Sequence, residues 1–270
     1  MVNMIYFAVS AASLAIAFLT MFSGFGLGSL LMPVFAMFFP ITIAVASTAV
    51  VHALNNLFKI ILLFSHIDSR VIVRFGVPAI IASLVGASLL LMLAQVNAEI
   101  VWSMLGEEFS TSLIKLVLGL LILSFAIFDL LNIKNTINFR DRWLPIGGIL
   151  SGFFGGLSGH QGAFRSMFLI HVDLSPKQYI ATQSGIALLV DISRIAIYFY
   201  GYWLAENTRE QQLEDAFAID WQLISFATLF AFVGTFVAKR MLEKTKIKTV
   251  QWVAGIFLIF IGCNLISGLI

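Results

Sequence analysis

The sequence predicts an all-α polytopic membrane protein, and three observations carry that prediction. First, of 270 residues 60% are hydrophobic and 11% are charged, against about 45–50% and about 25% in soluble domains. Second, the mean hydropathy is +1.00. Third, the apolar residues fall in continuous runs, and a helix crosses a bilayer with about 20 of them. They do not alternate with polar residues as the strands of a membrane barrel do. The same composition argues against a soluble enzyme and against disorder. A formal net charge of +2, with no basic arm, argues against a nucleic-acid partner. The single cysteine, Cys263, can neither close an internal disulfide nor hold a metal alone. Residues 1–20 are apolar but lack the basic n-region of a signal peptide, so they are read as part of the mature protein.

Polar clusters cut the chain into apolar blocks at about 4–39, 41–64, 71–94, 113–131, 143–170, 179–204, 221–238 and 250–270. Lys and Arg gather in cytoplasmic links. Arg70 and Arg74, then Lys134, Arg140 and Arg142, then Lys239, Arg240, Lys244, Lys246 and Lys248 mark three such links. Links rich in Glu99, Glu107 and Glu108, and in Glu206, Glu210, Glu214 and Asp215, are expected outside. Blocks five and six then lie between a cytoplasmic and an external link, and two full crossings cannot connect them. Block five, broken at GLSGHQG (156–162), is expected to enter and leave as a re-entrant helical hairpin. Irregular backbone at that depth needs protein or a water-filled cavity around it.

The first block is interrupted in the same way, at SGFGLGS (23–29). An offset of 135 residues places Gly24 on Gly159, Ser47 on Thr182, Asn56 on Asp191 and Lys59 on Arg194. The sequence therefore predicts two repeats, 1–132 and 133–270, each a re-entrant helical hairpin plus three transmembrane helices. Three crossings invert the second repeat. Inverted repeats with discontinuous helices build many secondary transporters.

The chemistry is expected at the two hairpin tips. Ser23, Gly24, Gly26 and Gly28 form the first; Ser158, Gly159, His160, Gln161 and Gly162 form the second. Each outgoing half-helix would aim unpaired N–H groups and the positive end of its dipole at the membrane centre. That arrangement suits an anion, with hydroxyls from Ser23, Ser29, Ser158 and Ser166. The spacings Gly24–Gly28 and Gly152–Gly156 also fit close helix packing. Arg165 follows the second tip by about one turn and offers a planar fork of donors to an oxyanion. Asp191 and Arg194, three residues apart, share a helix face. His52, Asn55, Asn56 and Lys59 form the matching strip in block two. Ionisable groups at such depth are costly and mark function by default. Hence His52, Asn56, Lys59, Asp191 and Arg194 are expected to gate or couple transport. His160, in the tip, is placed to titrate.

The stretches SGFGLGSLLMPVFAMFFP (23–40) and SGHQGAFRSMFLIHVDLSP (158–176), with the helices that follow them through Lys59 and Arg194, resemble the TauE/SafE family of sulfite-exporter-like permeases. His160 and Gln161 stand where glycines are commoner in that family. The resemblance implies a multi-pass plasma-membrane permease for small anions, often sulfur-containing ones such as sulfite or organosulfonates. The expected function is secondary transport of such an anion, in the export direction, in a bacterial inner membrane. The mechanism would be alternating access around the two tips, and an anion channel is the alternative. No HExxH or recognisable Ser–His pairing points to an enzyme. The four histidines (52, 66, 160 and 171) do not cluster as metal ligands. No cofactor or metal is expected. The expected partners are the anion, the lipid bilayer, a coupling proton or sodium ion, and a second copy of the chain in a homodimer.

Overall fold

The computed structural model describes residues 2–23, 26–96, 98–104, 107–131, 141–208, 219–240 and 247–269. Continuous apolar sequence folds into helix here because lipid offers a bare peptide group no hydrogen-bond partner. In chain order the helices begin with α1 (Val2–Ser23), α2 (Leu27–Ala36) and α3 (Ile41–Leu63). Next comes α4 (Ser69–Ala94), followed by α5 (Leu113–Leu130) and α6 (Leu144–Ser158). The chain continues with α7 (Gly162–Leu169), α8 (Pro176–Thr208), α9 (Trp221–Arg240) and α10 (Ile247–Ser267). Among them α1, α3, α4, α8 and α9 are long and apolar enough to cross a membrane by length and composition. The helical reading of the apolar blocks is therefore met. The glycine-rich stretches at 23–29 and 156–162 overlap the end of one helix and the start of the next, α1 and α2 in the first case and α6 and α7 in the second.

Two local features depart from uninterrupted helix. The link after block three carries strands β1 (Glu99–Met104) and β2 (Glu107–Ser112), paired antiparallel. Trp102 stacks on Phe109 at 4.9 Å between centroids. Thr111 Oγ1 donates to the Leu265 carbonyl at 2.9 Å, tying this hairpin to α10. In α4 a π-helical turn spans Ile72–Gly76. Pro78 follows it and cannot donate to the carbonyl of residue 74, so the wider turn sits where the regular ladder would fail.

Glycine sets how closely the helices approach. Gly148, Gly152 and Gly156 lie along one stripe of α6, facing α4. A Cβ on them would fall 2.2 Å from the Phe75 carbonyl oxygen, 2.1 Å from that of Ala79 and 2.2 Å from that of Ser83. Gly86 of α4 returns the contact, its Cβ position lying 2.1 Å from the Phe153 oxygen. The packing reading of Gly152 and Gly156 is thus the correct one. Helix α9 meets α1 in the same manner at Gly234, 2.2 Å from the Leu14 oxygen. Helices α5 and α10 cross at Gly119 and Gly262, where each Cβ position lies 3.1–3.2 Å from the other's carbonyl oxygen. Helices α3 and α8 run antiparallel through the middle.

Candidate functional site

The crossing of α3 and α8 holds a buried polar cluster with Asp191 at its centre. Asp191 is 0% exposed. Its Oδ1 accepts from Arg194 Nη2 at 2.8 Å and Nε at 3.1 Å. Gln161 Nε2 donates to the same oxygen at 3.0 Å. On the other side, His52 Nδ1 lies 2.7 Å from Oδ2, and Asn56 Nδ2 approaches that oxygen at 3.5 Å. Helical spacing explains the convergence. Asp191 and Arg194 are three apart on α8, and His52 and Asn56 are four apart on α3, so each pair shares a face.

Gln161 extends the cluster into the second hairpin. Its Oε1 accepts from Arg165 Nη1 at 2.7 Å, one turn further along α7. Ser151 Oγ donates to the Gln161 carbonyl at 2.8 Å. Arg194 Nη1 donates to the Gly155 carbonyl at 3.3 Å. The tip itself turns at Gly159, whose φ of +80° lies in the left-handed region that glycine enters without a Cβ clash. Its N–H closes α6 on the Gly155 carbonyl at 3.0 Å.

The two tips abut. A Cβ on Gly26, the residue before α2, would lie 3.8 Å from Gly162 Cα and 3.5 Å from His52 Nε2. One on Gly28 would lie 3.3 Å from the Gly159 oxygen. The N-termini of α2 and α7 therefore meet beside His52, within one side chain's reach of Asp191. Backbone N–H groups and dipoles of two helices concentrate positive potential at that point.

The remaining expected residues divide. Ser158 Oγ and Ser166 Oγ donate back to carbonyls of their own helices, Phe154 at 3.0 Å and Ala163 at 3.0 Å. Their hydroxyls are occupied in that geometry. His160 is buried and lies parallel to Phe125 at 5.4 Å and 5°. Its Nδ1 lies 3.1 Å from the Ser158 carbonyl, while Nε2 has no partner among the described residues. Phe154 and Phe164 pack edge-on against the same Phe125 ring. Lys59 is 8% exposed. Gly24 and the side chain of Ser23 lie outside the described residues.

Several supporting groups escape a reading of the sequence alone. Tyr198 donates its hydroxyl to the Gly156 carbonyl, and Ser193 Oγ donates to Ser83 Oγ at 2.9 Å. These bonds pin α8 to α6 and α4. Thr235 Oγ1 donates to Asn55 Oδ1 at 2.8 Å, joining α9 to α3. A faint signal existed in Tyr198, one turn beyond Arg194. Nothing in the sequence marks Phe125 as the platform for His160. Among the described residues no group of three or more His, Cys, Asp or Glu is placed to hold a metal.

A multi-pass helical protein whose hairpin tips meet at a buried charged cluster has the construction of a membrane transport protein. The family model described as Sulfite exporter TauE/SafE matches residues 9–265, and the chain belongs to that family, whose members are transporters rather than enzymes. No curated protein and no solved structure matches the chain.

Proposed function

We propose that this protein is a secondary transporter that exports a small oxyanion, such as sulfite or an organosulfonate, across a bacterial inner membrane. The carrying observation is the meeting of two half-helix N-termini beside a buried Arg165 whose described hydrogen bond goes to a neutral amide. Such a site attracts an anion through N–H groups, dipoles and a guanidinium fork acting together. The family's description as sulfite exporters supports the substrate class.

The transport cycle in this reading is alternating access between two inverted repeats, 1–132 and 133–270. Reciprocal packing supports it. Helix α4 is to α6 what α9 is to α1, and α3 with α8 and α5 with α10 pair with one another. Asn56 and Asp191, equivalent at the offset of 135, touch each other at the centre. The strip of His52, Asn56, Lys59, Asp191 and Arg194 would couple the cycle to a proton or sodium ion. The test is flux of sulfite and of a short alkanesulfonate in proteoliposomes. Saturating flux accelerated by substrate on the opposite side is the expected result. Flux that rises linearly with concentration and shows no such acceleration would favour an anion channel instead.

A further inference from the structure

Buried charge in the centre of this molecule does not balance among the described residues. Lys59, Arg165 and Arg194 are buried, and Asp191 is the one buried carboxylate among the described residues. Asp191 is committed to Arg194, which engages it through both Nε and Nη2. Arg165 bonds to the neutral Gln161 amide, and its Nε has no partner among the described residues. Lys59 has no ion-pair partner among them either. Cations removed from water need a counter-charge.

The spare cations are displaced in one direction. Lys59 stands three residues past Asn56 on α3, and Arg165 stands four past Gln161, the residue that precedes α7. Asn56 and Gln161 both bond to Asp191. At about 1.5 Å of rise per residue, Lys59 and Arg165 lie about 4.5 Å and about 6 Å beyond it along their helices. Helix α7 leads to the start of α8, and the N–H of Asp68, just past the end of α3, donates to Thr182 Oγ1 in the first turns of α8 at 2.9 Å. Both helices therefore run toward the same end of the molecule. Arg194, on the antiparallel α8, is displaced the opposite way. Lys59 and Arg165 also lie within Coulombic range of one another.

We infer that Lys59 and Arg165 form a two-cation seat on one side of Asp191, and that the transported oxyanion is bound there in doubly ionised form. This rests on the anion-transport reading and adds the charge state and the second contact. Arg165 supplies a fork for two oxygens, and Lys59 supplies a point charge for a third oxygen or a second acidic group. A doubly charged ligand neutralises the seat; a singly charged one leaves one buried cation unmatched. In sulfite the two forms differ by one proton released near neutral pH, so the seat would select the deprotonated species.

The experiment compares anions of fixed charge on the purified full-length protein. Sulfoacetate, a dianion, and methanesulfonate, a monoanion, are titrated by calorimetry and by ligand-induced thermal stabilisation. Sulfite is titrated from mildly acidic to neutral pH. Sulfoacetate should bind at least about tenfold more tightly than methanesulfonate, and sulfite should tighten as it deprotonates. Lys59→Gln should weaken sulfoacetate more than methanesulfonate, so that the tenfold preference falls below about threefold, and Lys59→Arg should restore it. If wild-type protein binds methanesulfonate as tightly as sulfoacetate, the doubly ionised seat is overturned and anion transport stands. If no anion binds, both fall. The wild-type comparison decides even where Lys59→Gln does not fold.

Discussion

Arg165 is the residue on which the anion site most depends. It is 1% exposed, and its one described hydrogen bond is to Gln161. Arg165→Lys keeps the charge but loses the planar fork. A lost charged hydrogen bond costs about 1.5–3 kcal/mol, so apparent affinity should weaken about tenfold or more. Arg165→Ala should nearly abolish flux while folded protein remains in the membrane. Normal transport by Arg165→Ala would leave the site to the two helix N-termini alone. Asp191 and Arg194 make a second residue-scale test. Removing one member of a buried pair costs about 3–5 kcal/mol because it strands the other charge. Asp191→Asn or Arg194→Gln alone should therefore lower thermal stability more than the double variant does. Additive losses in the double variant would mean that each residue acts separately.

At the scale of elements, glycine is the spacer that lets α6 lie on α4. The Gly152 Cβ position falls 2.1 Å from a backbone oxygen of Ala79, which has no flexible end to move aside. Gly152→Ala must push the helices apart, and overpacking costs about 1–3 kcal/mol. The expected outcome is a clear drop in the melting temperature of the solubilised protein. Gly185→Ala is the contrast. Its Cβ position meets Ile72 Cδ1 at 2.8 Å, the tip of a side chain that can turn away, so its cost should be much smaller. Equal losses would mean that close backbone approach is not what holds α4 to α6. Gly159→Ala tests the hairpin turn itself. A left-handed φ costs a residue with a Cβ about 1–2 kcal/mol, and the added carbon would sit 3.0 Å from Arg194 Nη1. Lower stability and lower flux are expected together.

For the whole molecule, the distribution of Lys and Arg orients the chain. Links around Arg70, position 140 and position 244 should face the cytoplasm, and those around positions 107 and 210 should face outside. Arg70 Nη2 pairs with Asp141 Oδ2 at 2.6 Å, which places the links before α4 and before α6 on the same side. Single-cysteine labelling in a Cys263→Ser background measures this directly. Labelling of position 140 by an external impermeant reagent would overturn both the orientation and the parity argument for a re-entrant second hairpin.

Much of this architecture was legible in the sequence because lipid enforces simple rules. A backbone without water must form helix, so apolar runs became helices at 41–63, 113–130 and 221–240. The glycine-rich break at 156–162 became a turn because Gly159 takes a left-handed φ that a Cβ would disfavour. Spacing alone paired Asp191 with Arg194, since residues three apart on a helix share a face. Other features depend on contacts between distant segments. That His52 and Gln161 reach Asp191 from two other elements, that Gly26 meets Gly162, and that His160 lies on Phe125 follow from how α3, α7, α5 and α8 cross. The link at 99–112 pairs as a hairpin because Trp102 stacks on Phe109 and Thr111 has a carbonyl of α10 to bond. Local sequence determined which segments enter the membrane. The tertiary structure decided which polar side chains meet there, because a buried charge takes its partner from whatever helix packing brings beside it.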